Sequence, residues 1–447
     1  MRKSLNLWLV CPDFMIRVGF TSWLWYCAAI GLLGLFGGRM VIAQDMQKAK
    51  AVIDTLCGPG FHGRGFVNEG DRKAARYLRG QFEEIGLLPL GEDYFQTFTL
   101  AVNTFPGQVV LQVGKSRLQP GTDFIANAIS RGGKGKAQLL PLDTAIFSQP
   151  EAQTQFLKQN LKRKALLLPA FAFERMIELP QALIDKIYSC PVVIAQKEQK
   201  LVAALSQKAL SPPYFEVLQS QLDAILQAQP ASKINIKYRL DAQLVPDYET
   251  QNVIGYLPGT QAKEQYFVVS AHYDHLGQMG EGVYFPGAND NASGIAMLLE
   301  LARHYARPEN RPPFSLVFMA FSAEEIGLLG SLHYVKNPLF PLEQINFLVN
   351  LDLVGTGDEG AMVVNGGVLQ EAFERLHRLN ETHQYLPKLA RRGLAANSDH
   401  YFFQEAGFRP FSSTPWGGFR RIMMSLTAPK HFHSLNLRVC LAYYAIL

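Results

Sequence analysis

The chain has 447 residues, 48% hydrophobic and 18% charged, with a formal net charge of +5. That length and apolar content give a folded protein of two or three domains and exclude a disordered or fibrous chain. The small net charge, with no Lys/Arg block, leaves no footprint for nucleic acid, which is excluded as a partner.

Residues 1–44 read as a signal peptide or N-terminal anchor. Arg17 supplies a positive start, Trp23 to Phe36 is apolar, and Val41-Ile42-Ala43 precedes a cut at Ala43/Gln44. A retained anchor is the alternative, since Val18 to Phe36 is nearly long enough to span a membrane. The small residues that follow favour cleavage, and Met15 makes a better start than Met1. The expected location is periplasmic or extracellular, with a membrane contact only if the segment is retained. Of the five cysteines, Cys11, Cys27, Cys57, Cys190 and Cys440, none forms a CxxC pair, which argues against a thiolate zinc site. An exported protein could join Cys57 to Cys190, but spacing does not decide it.

Asp71 to Ile85 is expected to be helical, with Ala75, Leu78, Phe82 and Ile85 on one face, Gly86 as its stop and Pro89 beyond. Tyr94 to Leu100 alternates as a strand does. Residues 101–243 mix short β-like runs (Val109–Val113, Ala165–Leu168, Pro191–Ala195, Ile234–Tyr238) with Gln- and Lys-rich helical pieces and carry no dense ligand motif. They read as an inserted, β-rich accessory domain. From Gln251 the pattern is α/β. Tyr266–Ala271, Ser315–Ala320 and Phe347–Leu351 are continuous apolar runs, the kind buried on both faces of a mostly parallel sheet. Ala292 to Tyr305 reads as a helix with Ile295, Leu298, Leu299 and Ala302 inward.

Acids and histidines recur at or just after the ends of these runs: FVVSAHYDHLG (267–277), GANDNASG (287–294), SLVFMAFSAEE (315–325), FLVNLDLVG (347–355) and NSDHYFF (397–403). In open α/β sheets ligands bind beyond the carboxyl ends of the strands, where His272, Glu324, Glu325 and Asp352 fall. Two neighbouring zinc ions need a bridging carboxylate, His and acid caps, and a position left for water. Asp290, in a Gly- and Asn-rich turn that opens a helix, suits the bridge. Glu324 and Glu325 are adjacent and cannot point the same way, so one can bind metal while the other works on water. Asp274 could orient the His272 ring. Singly, each residue has an ordinary reading: a solvated histidine, a helix cap, an exposed glutamate pair. Their recurrence at successive strand ends is what points to a metal site. His275, His304 and His333 read as ordinary histidines.

AHYDHLG, GANDNASG, AFSAEEIGLLGS and NLDLVG resemble, nearly throughout, the cocatalytic zinc aminopeptidases of the bacterial leucyl aminopeptidase type, relatives of glutamate carboxypeptidase II and the glutaminyl cyclases. The resemblance covers about residues 45–100 and 246–410. It implies a zinc exopeptidase fold, α/β with a mostly parallel central sheet flanked by helices, over 45–100 and 244–447. It also implies a protease-associated-like insert at 101–243. By resemblance His272 and Asp352 hold one zinc, Asp290 bridges, Glu325 binds the second zinc, and Glu324 is the general base. The substrates implied are peptides with a free N-terminus, and Ser398-Asp399-His400 matches a segment near the pocket, with His400 not a ligand.

The family also needs a histidine for the second zinc near position 420, and the text after about Phe411 departs from the pattern. Back-translation read one base earlier can restore a glycine turn, a Tyr-His-Asp segment and an amphipathic final helix. Of this, Asp is forced by Met423-Met424 and Gly by Trp416-Gly417. A frameshift is therefore expected there, and the tail as written is expected to lack that histidine, a sheet strand and the last helix. The alternative is a genuine tail in which His431 or His433 replaces the ligand. The leading function is an exported zinc aminopeptidase; the others are a one-zinc glutaminyl cyclase, a carboxypeptidase on acidic dipeptides, and an inactive relative.

Overall fold

The structure is a computed structural model and describes residues 45–406 together with the backbone of 422–427. The expected signal segment, Cys11, Cys27, Cys440, His431 and His433 lie outside the described residues. Helix α1 (Met46–Leu56) starts at Asp45, whose carboxylate accepts the Gln47 and Lys48 amides at 3.0 and 3.2 Å. Helix α2 (Gly70–Ile85) buries Ala74, Ala75, Leu78 and Phe82. It ends at Gly86, whose φ of 86° suits a residue without a side chain.

Strands β1 (Leu88–Pro89) and β2 (Phe95–Thr104) lead into a separate eight-stranded sheet. Its strands are β3 (Val109–Val113), β4 (Ser116–Leu118), β5 (Phe124–Ala126), β6 (Gly133–Pro141), β7 (Lys164–Leu168), β8 (Val192–Lys197), β9 (Tyr214–Leu218) and β10 (Asn235–Leu240), in the order β4-β3-β10-β6-β7-β8-β9-β5. Alternation along these strands fills two cores. Leu139, Ile194 and Phe215 face one side; Leu166, Leu168 and Val193 face the other, under Leu183 and Ile187. The chain leaves through β2 and returns through β11 (Gln243–Leu257), which pair antiparallel from Thr104 opposite Gln243 to Phe95 opposite Val253. Residues 109–240 thus enter and leave the first sheet at one point.

That first sheet continues with β12 (Ala262–His272), a short β13/β14 hairpin apart from it (Gln278–Met279, Val283–Tyr284), β15 (Phe314–Phe321), β16 (Ile345–Leu351), β17 (Ala361–Val364), β18 (Leu389–Arg391) and β19 (Ile422–Thr427). Its order is β1-β11-β15-β12-β16-β19-β17-β18, with β2 on β11. The centre, β15-β12-β16-β19, is parallel; β11 pairs antiparallel with β15, β1 and β2, and β17 pairs antiparallel with β19 and parallel with β18. The central strands are apolar on both faces because helices cover both. Helix α3 (Ser293–Ala306) buries Ile295, Leu298, Leu299 and Ala302 on one side. Tyr334 of α4 (Leu329–Lys336) and Phe403 of α6 (His400–Glu405) pack with Phe321 and Leu348 on the other; α5 (Gln370–His383) lies between them in sequence.

One expectation is corrected, and one pairing left open by the sequence is answered. The tail was expected to lack a sheet strand, yet Ile422–Thr427 pairs parallel with β16, from Phe347 opposite Ile422 to Leu351 opposite Leu426. An apolar run, IMMSLT, meets the free backbone groups of β16, and strand pairing asks no more of a sequence. Cys57 and Cys190 are both unpaired: Cys57 ends α1, and buried Cys190 donates to the Val192 carbonyl at 3.2 Å inside the other sheet's core. Among the described residues no helix is long and apolar enough to cross a membrane.

Asp71 ties α2 to β11. Tyr248 Oη and Thr250 Oγ1 donate to its carboxylate at 2.7 and 2.8 Å, and burial pushes its pKa up to about 6 despite these bonds. A raised folded-state pKa gives stability that is complete below the unfolded value, about 3.9, and lost as pH rises through about 6. Relative to Asp71→Asn, the wild type should therefore lose about 2 kcal/mol between pH 4 and pH 7, at about 1.4 kcal/mol per pKa unit. Urea denaturation of both proteins across that range checks this; a pH-independent difference would contradict it.

Candidate metal centre

Strand register assembles the centre. In the parallel pairs Ser270 lies opposite Asn350, and His272 opposite Phe321. Asp352, two residues past Asn350, therefore comes level with His272, and Glu324 and Glu325 follow just beyond the end of β15. The fourth contribution comes from the turn Gly287–Ala292 in front of α3, which carries Asp290.

That turn is held from two sides. Asn291 Nδ2 donates to the Leu351 carbonyl at 2.9 Å, its Oδ1 accepts from Gly294 N, and Asn289 Oδ1 accepts from Gly355 N at 2.8 Å. From below, the fully buried Arg64 donates to five carbonyls: Leu56, Tyr273, Pro286, Gly287 and Asp290, at 2.6–3.2 Å. Gly287 has φ 58°, and a Cβ there would lie 2.3 Å from Asp290 O, 2.4 Å from His275 Cδ2 and 2.6 Å from Arg64 Nη2. No side chain fits at that point.

All six residues singled out from the sequence, His272, Asp274, Asp290, Glu324, Glu325 and Asp352, come together here. His272 Nε2 is 3.4 Å from Asp290 Oδ1, 3.4 Å from Asp352 Oδ1 and 3.8 Å from Glu324 Oε2. His272 Nδ1 lies 3.2 Å from the Asp274 carbonyl oxygen. A carbonyl only accepts, so Nδ1 carries the hydrogen and Nε2 faces the carboxylates. The carboxylate of Asp274 was expected to orient this ring. It lies 3.8 Å from Nδ1 and instead accepts the amides of Glu324 and Glu325 at 3.1 and 3.3 Å. Two amides at the start of a turn need an acceptor, so Asp274 sets the position of both glutamates.

His275, read from the sequence as ordinary, is the residue that reading missed: its Nδ1 is 2.5 Å from Glu325 Oε1. The glutamates diverge, giving two groups with ligand atoms within 4.8 Å of one another: His272, Glu324 and Asp352, and His275, Asp290 and Glu325. Asp290 belongs to the second group and is 3.4 Å from the imidazole of the first. Arg64 was missed too. An isolated arginine in a glycine-rich loop carries no sequence signal, whereas His275 stands three residues after His272.

The electrostatics describe a shortage of positive charge. Burial raises the Glu324 and Glu325 carboxyls, and neighbouring Asp352 adds to both; burial likewise pushes Asp274 up to about 7. Burial alone would lower the His272 pKa, but Glu324, Asp352 and Asp290 hold it well above the usual range. Asp352 Oδ1 is buried and accepts no hydrogen bond among the described residues. Buried like charges with an unsatisfied oxygen cost free energy unless a cation joins them. Zinc bonds of about 2.0–2.2 Å in a tetrahedron separate ligand atoms by about 3.4 Å, the spacing seen around His272 Nε2. The imidazole and carboxylate donors therefore fit zinc. Ser398-Asp399-His400 closes the far side: Asn350 Nδ2 donates to Ser398 Oγ at 2.8 Å, and Asp399 and His400 are buried.

Residues 252–434 match the sequence profile of peptidase family M28. The aminopeptidase YwaD of Bacillus subtilis is 32% identical over 228 residues, 48% of this chain and 46% of that protein. A vacuolar membrane protease of Candida dubliniensis is 26% identical over 204 residues, 43% of this chain and 20% of that one. The chain thus spans less than half the length of these curated relatives. Two solved structures share the fold: a zinc aminopeptidase from Bacillus subtilis, 19% identical with a TM-score of 0.60 over 89% of this chain and 92% of that one, and a peptidase M28 precursor from Shewanella amazonensis, 13% identical with a TM-score of 0.60 over 90% and 92%.

Arg64→Met leaves five carbonyls without their donor. Buried groups that lose a partner cost about 1–3 kcal/mol each, so a loss of at least about 3 kcal/mol is expected after relaxation. Arg64→Lys should recover little, because an ammonium cannot reproduce the planar fork. Denaturant midpoints of the three proteins test this; an unshifted midpoint for Arg64→Met would rule out the bracing role.

Proposed function

We propose that this member of the M28 superfamily is an exported, zinc-dependent aminopeptidase that removes N-terminal residues from peptides with a free amino terminus. The observation that carries this reading is Asp290, a carboxylate placed between two ligand groups and 43% exposed on its outer side, where a peptide can approach. His272 and Asp352 would hold one ion, Glu325 would hold the second, and Asp290 would join them. An ion held there would supply Lewis-acid polarisation of the scissile carbonyl and of water, and a point of attachment for the free amino terminus.

The protein's own groups then divide the work. The Glu324 carboxylate takes the proton of the attacking water and delivers it to the leaving amine. Its raised pKa reflects burial among Asp399, Asp352 and Asp274, and added positive charge shifts it toward the ionised form a base needs. Asp274, through the two amides it accepts, keeps Glu324 on the His272 side and Glu325 on the His275 side.

Residues 15–44 support export. The departure from the family pattern after Phe411 supports a slip of reading frame, although the family match runs on to residue 434 and the strand at 422–427 is in place. Resequencing codons 400–447 decides this: a miscounted base restores the Tyr-His-Asp segment, and an unchanged sequence makes the written tail genuine.

Glu324→Gln should lower kcat for a leucyl chromogenic substrate by about 100- to 10,000-fold with zinc content unchanged. Retained turnover would remove Glu324 from the base role. Cyclisation of an N-terminal glutaminyl peptide, with no leucyl hydrolysis, would replace the aminopeptidase reading with an acyltransferase.

A further inference from the structure

Each of the two ligand groups around Asp290 contains one imidazole. His272 belongs to the first, and His275 stands in the second, in the same SAHYDH stretch. We propose that His275 is itself a ligand of the second cation, so that the second site is His275, Asp290 and Glu325. This rests on the two-cation reading of the centre and adds a ligand to it.

Three features of the fold bring His275 to this position. First, β12 ends at His272, and the chain beyond it is irregular, so the two imidazoles three residues apart are free of strand alternation and turn to different sides of Asp290. Second, the backbone there is fixed, since the His275 amide donates to the Arg64 carbonyl at 3.3 Å. The same Arg64 grips the Gly287 and Asp290 carbonyls, so ring and bridging carboxylate share one support. Third, the ring lies over Gly287, where any Cβ would meet its Cδ2 at 2.4 Å, and it is only 10% exposed.

The ring is therefore clamped with Nδ1 toward Glu325 Oε1, 2.5 Å away, and with a ligand atom within 4.8 Å of Asp290. A sign that the centre as a whole calls for cations is the buried Oδ1 of Asp352 in the first group, which accepts no hydrogen bond among the described residues. The proposed centre is symmetric in chemistry: each ion has one imidazole, one carboxylate of its own and a share in Asp290. Imidazole with carboxylate is a donor set that suits zinc. The competing role is positional, with His275 only hydrogen-bonding Glu325 to orient it. Losing an orienting partner costs roughly 10- to 100-fold in metal affinity, so a lost ligand should exceed that range.

The test is zinc titration of metal-free full-length protein, with competing chelators, followed by metal analysis after gel filtration. Wild type should bind two zinc ions. His275→Ala should bind one, with the second weakened by more than about 100-fold. His275→Gln, which keeps the ring's bulk and a donor for Glu325, should lose the second ion equally; it also stands in if the alanine variant fails to fold, with melting curves as the check. The double variant His431→Ala/His433→Ala should keep both ions. The proposal is overturned if His275→Gln holds two ions within 100-fold of wild-type affinity, or if the tail variant alone loses one. Wild-type protein that binds no zinc, or one ion only, overturns the two-cation reading itself and this proposal with it. Cobalt substitution gives a second readout: the visible band of the second equivalent should be absent in both His275 variants.

Discussion

The level ending of three parallel strands is the constraint on which the centre depends. Period-two geometry means that a slip of one residue between β12 and β16 would turn Asp352 to the wrong face of the sheet. A slip between β12 and β15 would carry Glu324 and Glu325 away from His272. The register is fixed by burial on both faces: Val268, Val269, Val317, Phe318, Leu348 and Leu351 are all packed, so no shifted pairing keeps them covered. The geometry of the centre is a by-product of core packing, with the histidine and acids appended where the apolar runs stop.

What the sheet cannot supply is the group in the middle. Asp290 comes from a turn, and turns need bracing. The bracing is polar: Asn289 and Asn291 bind it to the end of β16, and Arg64, from a loop before α2, binds it to the end of β12. Arg64 has carbonyls and the Cys57 sulfur, and no carboxylate, as its hydrogen-bonding partners, so its charge also acts on the acids nearby, Asp274 and Asp290. The protein thus places one buried cation beneath a cluster of carboxylates that still calls for more positive charge.

How much of this was legible in the sequence follows from where each signal resides. Apolar runs of strand length ending in acids gave the central strands within a few residues, and the helical period gave α2 and α3. Those signals are local. The long β2/β11 ribbon was read only in part, because its solvent-facing half alternates weakly and its partner is some 140 residues away in sequence. Residues 109–240 showed strands but not their order, since pairing across a sheet leaves no local trace. In the centre, the candidate ligands at strand ends were readable because position on a strand fixes position on the sheet edge. His275 was not, because it lies beyond the strand end, where direction is set by Arg64 and Gly287. Asp274 does sit against the His272 ring, through its backbone carbonyl, while the further task of its carboxylate was not legible, since two backbone amides do not appear in a sequence as donors. The strand at 422–427 was discounted because the family pattern fails around it, yet strand pairing depends on backbone and apolar character, which that stretch keeps.

The central claim is that Asp290 is shared by two cations. Zinc titration into metal-free wild type and Asp290→Asn, followed calorimetrically, addresses it most directly. A shared carboxylate requires that wild type take up two equivalents and that the single substitution weaken both together. Loss of one equivalent with the other unchanged, or two unaltered equivalents, would contradict the account.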